Sequence, residues 1–154
     1  MNISARTDYA VRALLALAQA QGDQARPVSA ESIAVTAALP AKFLESILGD
    51  LRRGGLVTSQ RGQGGGYRLA HPADETTLGA VFRAVNGPLA EVRGARPHDT
   101  AYTGAAAHLN VVWVAVRQSL RQVLDEVTLA DVLAGDFPEH VRALATDPDA
   151  WRSR

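Results

Sequence analysis

Arg61-Gly62-Gln63-Gly64-Gly65-Gly66-Tyr67-Arg68-Leu69 places four glycines within five residues, flanked by guanidinium groups and a phenol. A glycine-rich turn bends tightly and lets backbone approach another molecule closely, because no Cβ intervenes. Cations and an aromatic ring at the tip and base of such a hairpin suit a finger entering the narrow, negative minor groove of DNA. A second cationic set lies just upstream. From Lys42 to Arg68 the chain carries Lys42, Arg52, Arg53, Arg61 and Arg68 against only Glu45 and Asp50. Taken alone, the glycines also permit a phosphate-cradling loop. Neither Gly-x-Gly-x-x-Gly nor Gly-Lys-Ser/Thr is present, however, and Tyr67–Leu69 reads as strand where such a loop needs a helix.

Other chemistries find little support. The chain contains no cysteine, which removes disulfides, thiolate nucleophiles, Cys-type zinc sites and thiolate-held iron–sulfur clusters. His71, His98, His108 and His140 are scattered and read as surface or turn residues rather than a metal set. No nucleophile–base–acid constellation is apparent, so neither catalysis nor a cofactor is expected.

The elements that must hold these residues belong to a chain of 154 residues, 47% apolar and 21% charged, enough for one domain with a small accessory element. No apolar run approaches the roughly 20 residues of a bilayer span. The N-terminus lacks the layout of a secretory signal, so a cytoplasmic protein is expected. Net charge is zero but uneven. Residues 1–72 carry eight Lys/Arg against five Asp/Glu, a net of +3, and residues 73–154 carry eight against eleven, a net of −3. This asymmetry fits a nucleic-acid module joined to an assembly or sensing module.

Ser4 is positioned to cap a helix from about Ala5 to Gln21, stopped by Gly22-Asp23. Ser29 caps a short helix to about Ala37, and Pro40 suits the first turn of a third helix ending at Arg53. On this third helix Leu44, Ile47, Leu48 and Leu51 form a core stripe, while Lys42, Ser46, Gly49 and Arg53 lie opposite. Gly49 weakens the helix, which suggests close approach to another surface on that face. Residues 56–60 and 67–70 read as two strands joined by the glycine turn. The expected fold is therefore mainly α with a small β-ribbon, a winged helix-turn-helix.

Thr77 caps a further helix closed by Asn86-Gly87-Pro88. Residues 89–107 lack periodicity, and a connection this long is often functional. A long helix from about His108 to Val127 follows. Leu109, Val112, Val116, Leu120, Val123 and Val127 line one face, with Val111 and Val114 opposite. Such a helix needs covering on two sides, one by its own domain and the other by a second subunit. Thr128 caps a Leu129–Leu133 helix, and Phe137–Arg154 reads as a peripheral helix with a fraying end. The expected division is a winged-helix unit (1–87), an irregular sensing or linker segment (88–107), dimerisation and closing helices (108–135) and a tail (136–154).

In this order the features resemble one family. Ile3-Ser4-Ala5-Arg6-Thr7-Asp8-Tyr9-Ala10-Val11-Arg12-Ala13, the block Lys42-Phe43-Leu44-Glu45 through Leu51-Arg52, Gly55-Leu56-Val57 with the glycine turn, and Thr128-Leu129-Ala130-Asp131-Val132 are similar to the BadM/Rrf-two bacterial regulators, over roughly residues 1–135. The resemblance implies a homodimeric winged-helix transcription factor, most readily a repressor, on a pseudo-palindromic double-stranded operator. Base contacts would fall on Lys42, Phe43, Glu45 and Ser46, with Glu45 able to accept from a cytosine amino group. Arg61, with Gly62, Gln63, Gly64 and Tyr67, would form the wing contact. Arg6, Arg52 and Arg53 would meet phosphates, which position without specifying. Trp113 would join Leu109, Val112, Val116, Leu120 and Val123 in the dimer interface.

Some members hold an iron–sulfur cluster on three cysteines placed before the long helix. Aligned on Trp113, those positions are Ala95, Ala101 and Ala107, and Asn110 stands where a histidine ligand can occur. Whether these alanines are natural or replace cysteines, they hold no such cluster. The chain is more similar to cysteine-free members, some linked to sulfur and cysteine metabolism, which answer to a metabolite or partner protein. The rival reading is a winged helix used as a protein-interaction module.

Overall fold

The computed structural model describes residues 2–22 and 26–152. In chain order these form α1 (Ala5–Gln21), α2 (Ala30–Ala37), α3 (Ala41–Arg53), β1 (Val57–Gln60), β2 (Gly66–Leu69), α4 (Leu78–Asn86), α5 (Leu109–Leu124), α6 (Leu129–Ala134) and α7 (Glu139–Thr146). Four of these helices, α1, α2, α4 and α6, start where hydroxyl side chains satisfy otherwise unpaired backbone N–H groups. Ser4 accepts from the Thr7 amide at 3.2 Å, Ser29 from Ser32 at 3.1 Å, Thr77 from Ala80 at 3.2 Å and Thr128 from Asp131 at 3.1 Å. Pro40 caps α3 from just outside rather than occupying its first turn; its ψ of 122° is extended. Gly22 ends α1 with φ 51°, whereas Asp23, expected to share that role, lies outside the described residues.

The core belongs to the first half of the chain. Leu14 and Leu17 from α1, Ile33 from α2, Leu44, Ile47, Leu48 and Leu51 from α3, and Val57 from β1 converge there, joined by Val81 from α4 and Leu129 from α6. Arg12 locks α1 onto α2. Its guanidinium donates to the carbonyls of Ala37 at 2.5 Å and Ala38 at 3.2 Å, satisfying the end of α2 where Ala38 turns left-handed at φ 52°. No single helix among the described residues is long and apolar enough to cross a membrane.

The wing gains a one-residue β-bridge that local sequence patterning did not indicate. β1 and β2 pair antiparallel with Val57 opposite Leu69, and Val28 adds on at the free edge of β2. Val28 and Tyr67 exchange backbone bonds of 2.9 and 2.8 Å. The connector between α1 and α2 thereby covers an edge that would otherwise stay open.

The C-terminal half is tied back by paired helix starts. The Leu78 amide donates to the Val127 carbonyl at 2.9 Å, and the Leu129 amide to Thr76 at 3.0 Å. Residues 88–107 are a chain of tight turns rather than a featureless linker. Val92 and Ala95 close a two-residue hairpin in which Arg93 (φ 54°) and Gly94 (φ 77°) are both left-handed. Single 3₁₀ turns follow at 97–99 and 104–106. α5 is shorter than expected, and none of its residues is buried. Within one chain its apolar stripe is therefore not enclosed by its own domain. Val112 and Val116 remain 51% and 41% exposed, alongside Val111 and Val114 on the other side.

Candidate nucleic-acid interface

α3 presents its two faces as its 3.6-residue period requires. Leu44, Ile47, Leu48 and Leu51 are each at most 1% exposed. Lys42, Phe43, Glu45 and Ser46 are exposed in its first two turns, Phe43 at 53% despite being aromatic. A large apolar ring left in water beside a cation, a carboxylate and a hydroxyl makes a surface with direction and chemistry, able to meet both base edges and methyl groups. A Cβ at Gly49 would only touch Arg53 at 3.5 Å, an ordinary contact, so nothing within the chain demands glycine there.

The wing stands beside this helix. Arg52, near the end of α3, donates to the Ser59 hydroxyl on β1 at 3.3 Å. At the wing tip Arg61, Gly62, Gln63 and Gly64 are exposed. Gly62 and Gly64 carry φ of 94° and 76° with open space around them. The next two glycines have a different role from the one expected. A Cβ on Gly65 would overlap the Gln60 carbonyl, and one on Gly66 would overlap the Val28 carbonyl. Their close approach is to the chain's own backbone, closing the turn and admitting Val28.

Tyr67 also has a structural role. Its backbone is bonded to Val28 on both sides, and its half-buried side chain packs against the hydrophobic core. It braces the wing against the core while keeping part of its surface exposed. Arg68, also half-buried, donates to Gln60 Oε1 at 2.6 Å across the ribbon, and its Nε is enclosed without a partner among the described residues.

Two of the three arginines expected to meet phosphates are already paired with a carboxylate. Arg6 Nε donates to Asp50 Oδ2 at 3.0 Å and Nη2 to the Ser46 hydroxyl at 2.9 Å, while Arg53 pairs with the other Asp50 oxygen. Asp50 thus holds α1 against α3 and fixes where two guanidinium groups sit. Helical spacing relates Asp50 to Arg53, three residues on, but only the fold brings in Arg6 from 44 residues away. Among the described residues Lys42 and Arg61 have no ion-pair partner, so their charge is uncompensated.

A second carboxylate clasp lies between α4 and α5. Arg83 donates twice to Asp125, at 2.7 Å through each Nη, and Arg121 adds a third bond at 3.3 Å. The hydrogen bond from Arg83 holds the Asp125 carboxyl below its ordinary range, against an opposing effect of burial, and the same pairing raises Arg83. A Cβ on Gly79 would collide with this carboxylate, so glycine makes room for the clasp.

Of the residues expected on the dimer face, Leu109, Trp113, Leu120 and Val123 are half-buried within one chain, and Val112 and Val116 are exposed. The Trp113 indole N–H is enclosed without a partner among the described residues.

Ala95, Ala101 and Ala107 offer methyl groups where a cluster would need electron-pair donors. No group of three or more His, Cys, Asp or Glu is placed to hold a metal among the described residues. The donor set does not fit an iron or iron–sulfur centre of the cysteine-ligated kind.

Residues 3–135 match the Rrf2 family model, described as an iron-dependent transcriptional regulator. A candidate HTH-type transcriptional regulator of Mycobacterium tuberculosis is 44% identical over 153 residues, 99% of this chain and 94% of that one. The HTH-type transcriptional regulator CymR of Bacillus subtilis is 33% identical over 132 residues, 86% of this chain and 89% of its own. The structure of B. subtilis CymR, titled the global cysteine regulator, superposes with a TM-score of 0.71 at 32% identity, covering 88% of this chain and 98% of that one. T. potens IscR superposes at 0.68 with 30% identity, covering 100% and 93%. With its winged helix, its outward α3 face and these relatives, the chain belongs to the Rrf2 family of transcriptional regulators.

Proposed function

We propose that the chain acts as a homodimeric repressor on a pseudo-palindromic operator, placing α3 of each protomer in the major groove and the Arg61 tip in the adjacent minor groove. The observation that carries this reading is the pairing of an outward α3 face bearing Phe43, Lys42, Glu45 and Ser46 with a wing tip whose Arg61 has no ion-pair partner among the described residues. Glu45 and Lys42 would read base edges. Arg52, and Arg6 and Arg53 as placed by Asp50, would meet phosphates.

The dimer reading rests on α5. A 16-residue helix with no buried residue and with valines open on two sides is incomplete alone. Its stripe continues into an apolar groove of about 710 Å³ lined by Phe82, Leu89, Leu120, Val123 and Leu144. A partner's helix would cover both. Two reading heads related by a two-fold axis then require a two-fold operator.

Regulation would run through residues 89–107 and α5, with a metabolite or partner protein altering the spacing of the two α3 helices. The likeness to CymR favours a role in sulfur or cysteine metabolism. Genome-wide mapping of bound sites tests the proposal, with two-fold motifs near sulfur-assimilation genes as the expected result. Binding without any two-fold motif would overturn the dimeric reading. Replacing residues 92–106 with an unrelated linker is expected to abolish effector-driven release from the operator; unchanged release would remove the sensing role.

A further inference from the structure

A cleft of about 430 Å³ opens between α4, the turn at 87–90, Arg96 and α5. Four arginines line it: Arg83 from α4, Arg96 just before the 97–99 turn, and Arg117 and Arg121 one turn apart on α5. The remaining wall is Gly87, Pro88, Leu89 and Ala90, with no acidic lining residue. Asp125 accounts for Arg83 and Arg121 together. Arg117 donates to His98 Nδ1 at 3.0 Å. Because a guanidinium only donates, that nitrogen is the acceptor; Nε2 of the same ring lies 3.5 Å from Asp99. The Arg96 guanidinium has no partner among the described residues. Four cations against one directly bonded carboxylate leave an excess of three positive charges.

We propose that this cleft binds a small polyvalent oxyanion, a metabolite carrying two or more carboxylate or phosphate groups. Guanidinium forks match the geometry of both groups and bind them with two parallel hydrogen bonds. The cavity volume lies within the range of small-molecule sites. Asp125 holds Arg83 and Arg121 in place beforehand, so less side-chain freedom is lost on binding. Arg96 and Arg117, neither bonded to a carboxylate, supply two of those three charges. A ligand there bridges α4, on the winged-helix side, to α5. Its regulatory role rests on the proposed reading of the chain as a controlled dimer; its existence as an anion site does not.

Calorimetric titration of the full chain with pyrophosphate and with citrate, each at constant ionic strength, tests the site. Saturable binding of at least one anion, one per chain, is expected, and the tighter of the two assigns phosphate or carboxylate chemistry. Arg96→Gln combined with Arg117→Gln is expected to weaken it about tenfold or more. Arg96→Ala alone, at an exposed position, guards against misfolding and is expected to weaken it several-fold. No saturable binding by either anion into the millimolar range, or equal affinities in wild type and both variants, overturns the site. Duplex binding measured on the same samples keeps the two readings apart. Anion binding without duplex binding supports the cleft and contradicts the operator reading. Lost duplex affinity in the arginine variants without any anion binding makes the cleft part of the nucleic-acid surface and overturns the proposal.

Discussion

α3 and α5 are both amphipathic helices of the same chain, yet they are completed in opposite ways. α3 buries four of its 13 residues to within 1% of full burial, and its outer face is left polar with one exposed aromatic. α5 buries none of its 16. The first helix is positioned by its own domain and so can present a fixed surface. The second, clasped to α4 through Asp125 but at most half-buried, leaves apolar surface for another body to cover. A reading head must be rigid, whereas an element that transmits a signal must have more than one way to pack.

The sharpest way to break this contrast is to truncate both helices. Leu51→Ala is expected to cost about 3 kcal/mol of folding stability, because it leaves a cavity in a closed core; denaturant titration reads it. Val116→Ala is expected to leave unfolding of the isolated chain within about 0.5 kcal/mol, as for an exposed residue. Val116→Asp is expected to weaken self-association by about 2 kcal/mol through burial of an unpaired charge at the proposed interface, measured by sedimentation. Equal folding losses at positions 51 and 116 would mean that α5 is packed within its own protomer after all.

The same contrast runs through the wing. Gly66→Ala is expected to cost about 2 kcal/mol, since the new methyl overlaps the Val28 carbonyl at a φ of 144°. Gly62→Ala, in open space, carries only the left-handed backbone penalty of roughly 1 kcal/mol. Thermal denaturation distinguishes them, and a reversed order would contradict the close approach of Val28 to β2.

A smaller effect attaches to the clasp between α4 and α5. Asp125 has its carboxyl lowered by Arg83 in the folded chain. Its stabilisation is therefore present above the ordinary carboxylate range and lost as pH falls through the lowered folded value, below about pH 4. The pair is partly exposed, so Asp125→Ala is expected to cost only about 1 kcal/mol at pH 7 and to flatten the acid limb of stability. An unchanged acid limb would show that the clasp does not hold in solution.

What local pattern encodes was readable from the sequence. The α3 stripe, the four hydroxyl caps and the glycine turn each depend on residues within a few positions of one another, and the structure places them as expected. What depends on distant residues was not. Val28 pairing with Tyr67, Arg6 reaching Asp50 and Arg83 reaching Asp125 span 39, 44 and 42 positions. No periodicity announces such pairs. The packing of Tyr67 is hidden for the same reason: its neighbours in sequence are wing residues, but its backbone partner in space is the connector before α2. The arginine cleft was missed because its four cations are scattered from 83 to 121 and become one surface only when α4 and α5 meet.

The central claim is that Arg61 and the α3 face engage DNA through charge as well as base contacts. A salt titration of operator-duplex binding, with wild type and Arg61→Ala side by side, tests it most directly. The account predicts a steep fall in affinity with rising salt, and a slope on logarithmic axes smaller by about 1 for each arginine removed from a phosphate-lined groove. Weak binding to every duplex with no salt dependence, unchanged by Arg61→Ala, would contradict it and make the winged helix a protein-docking module instead.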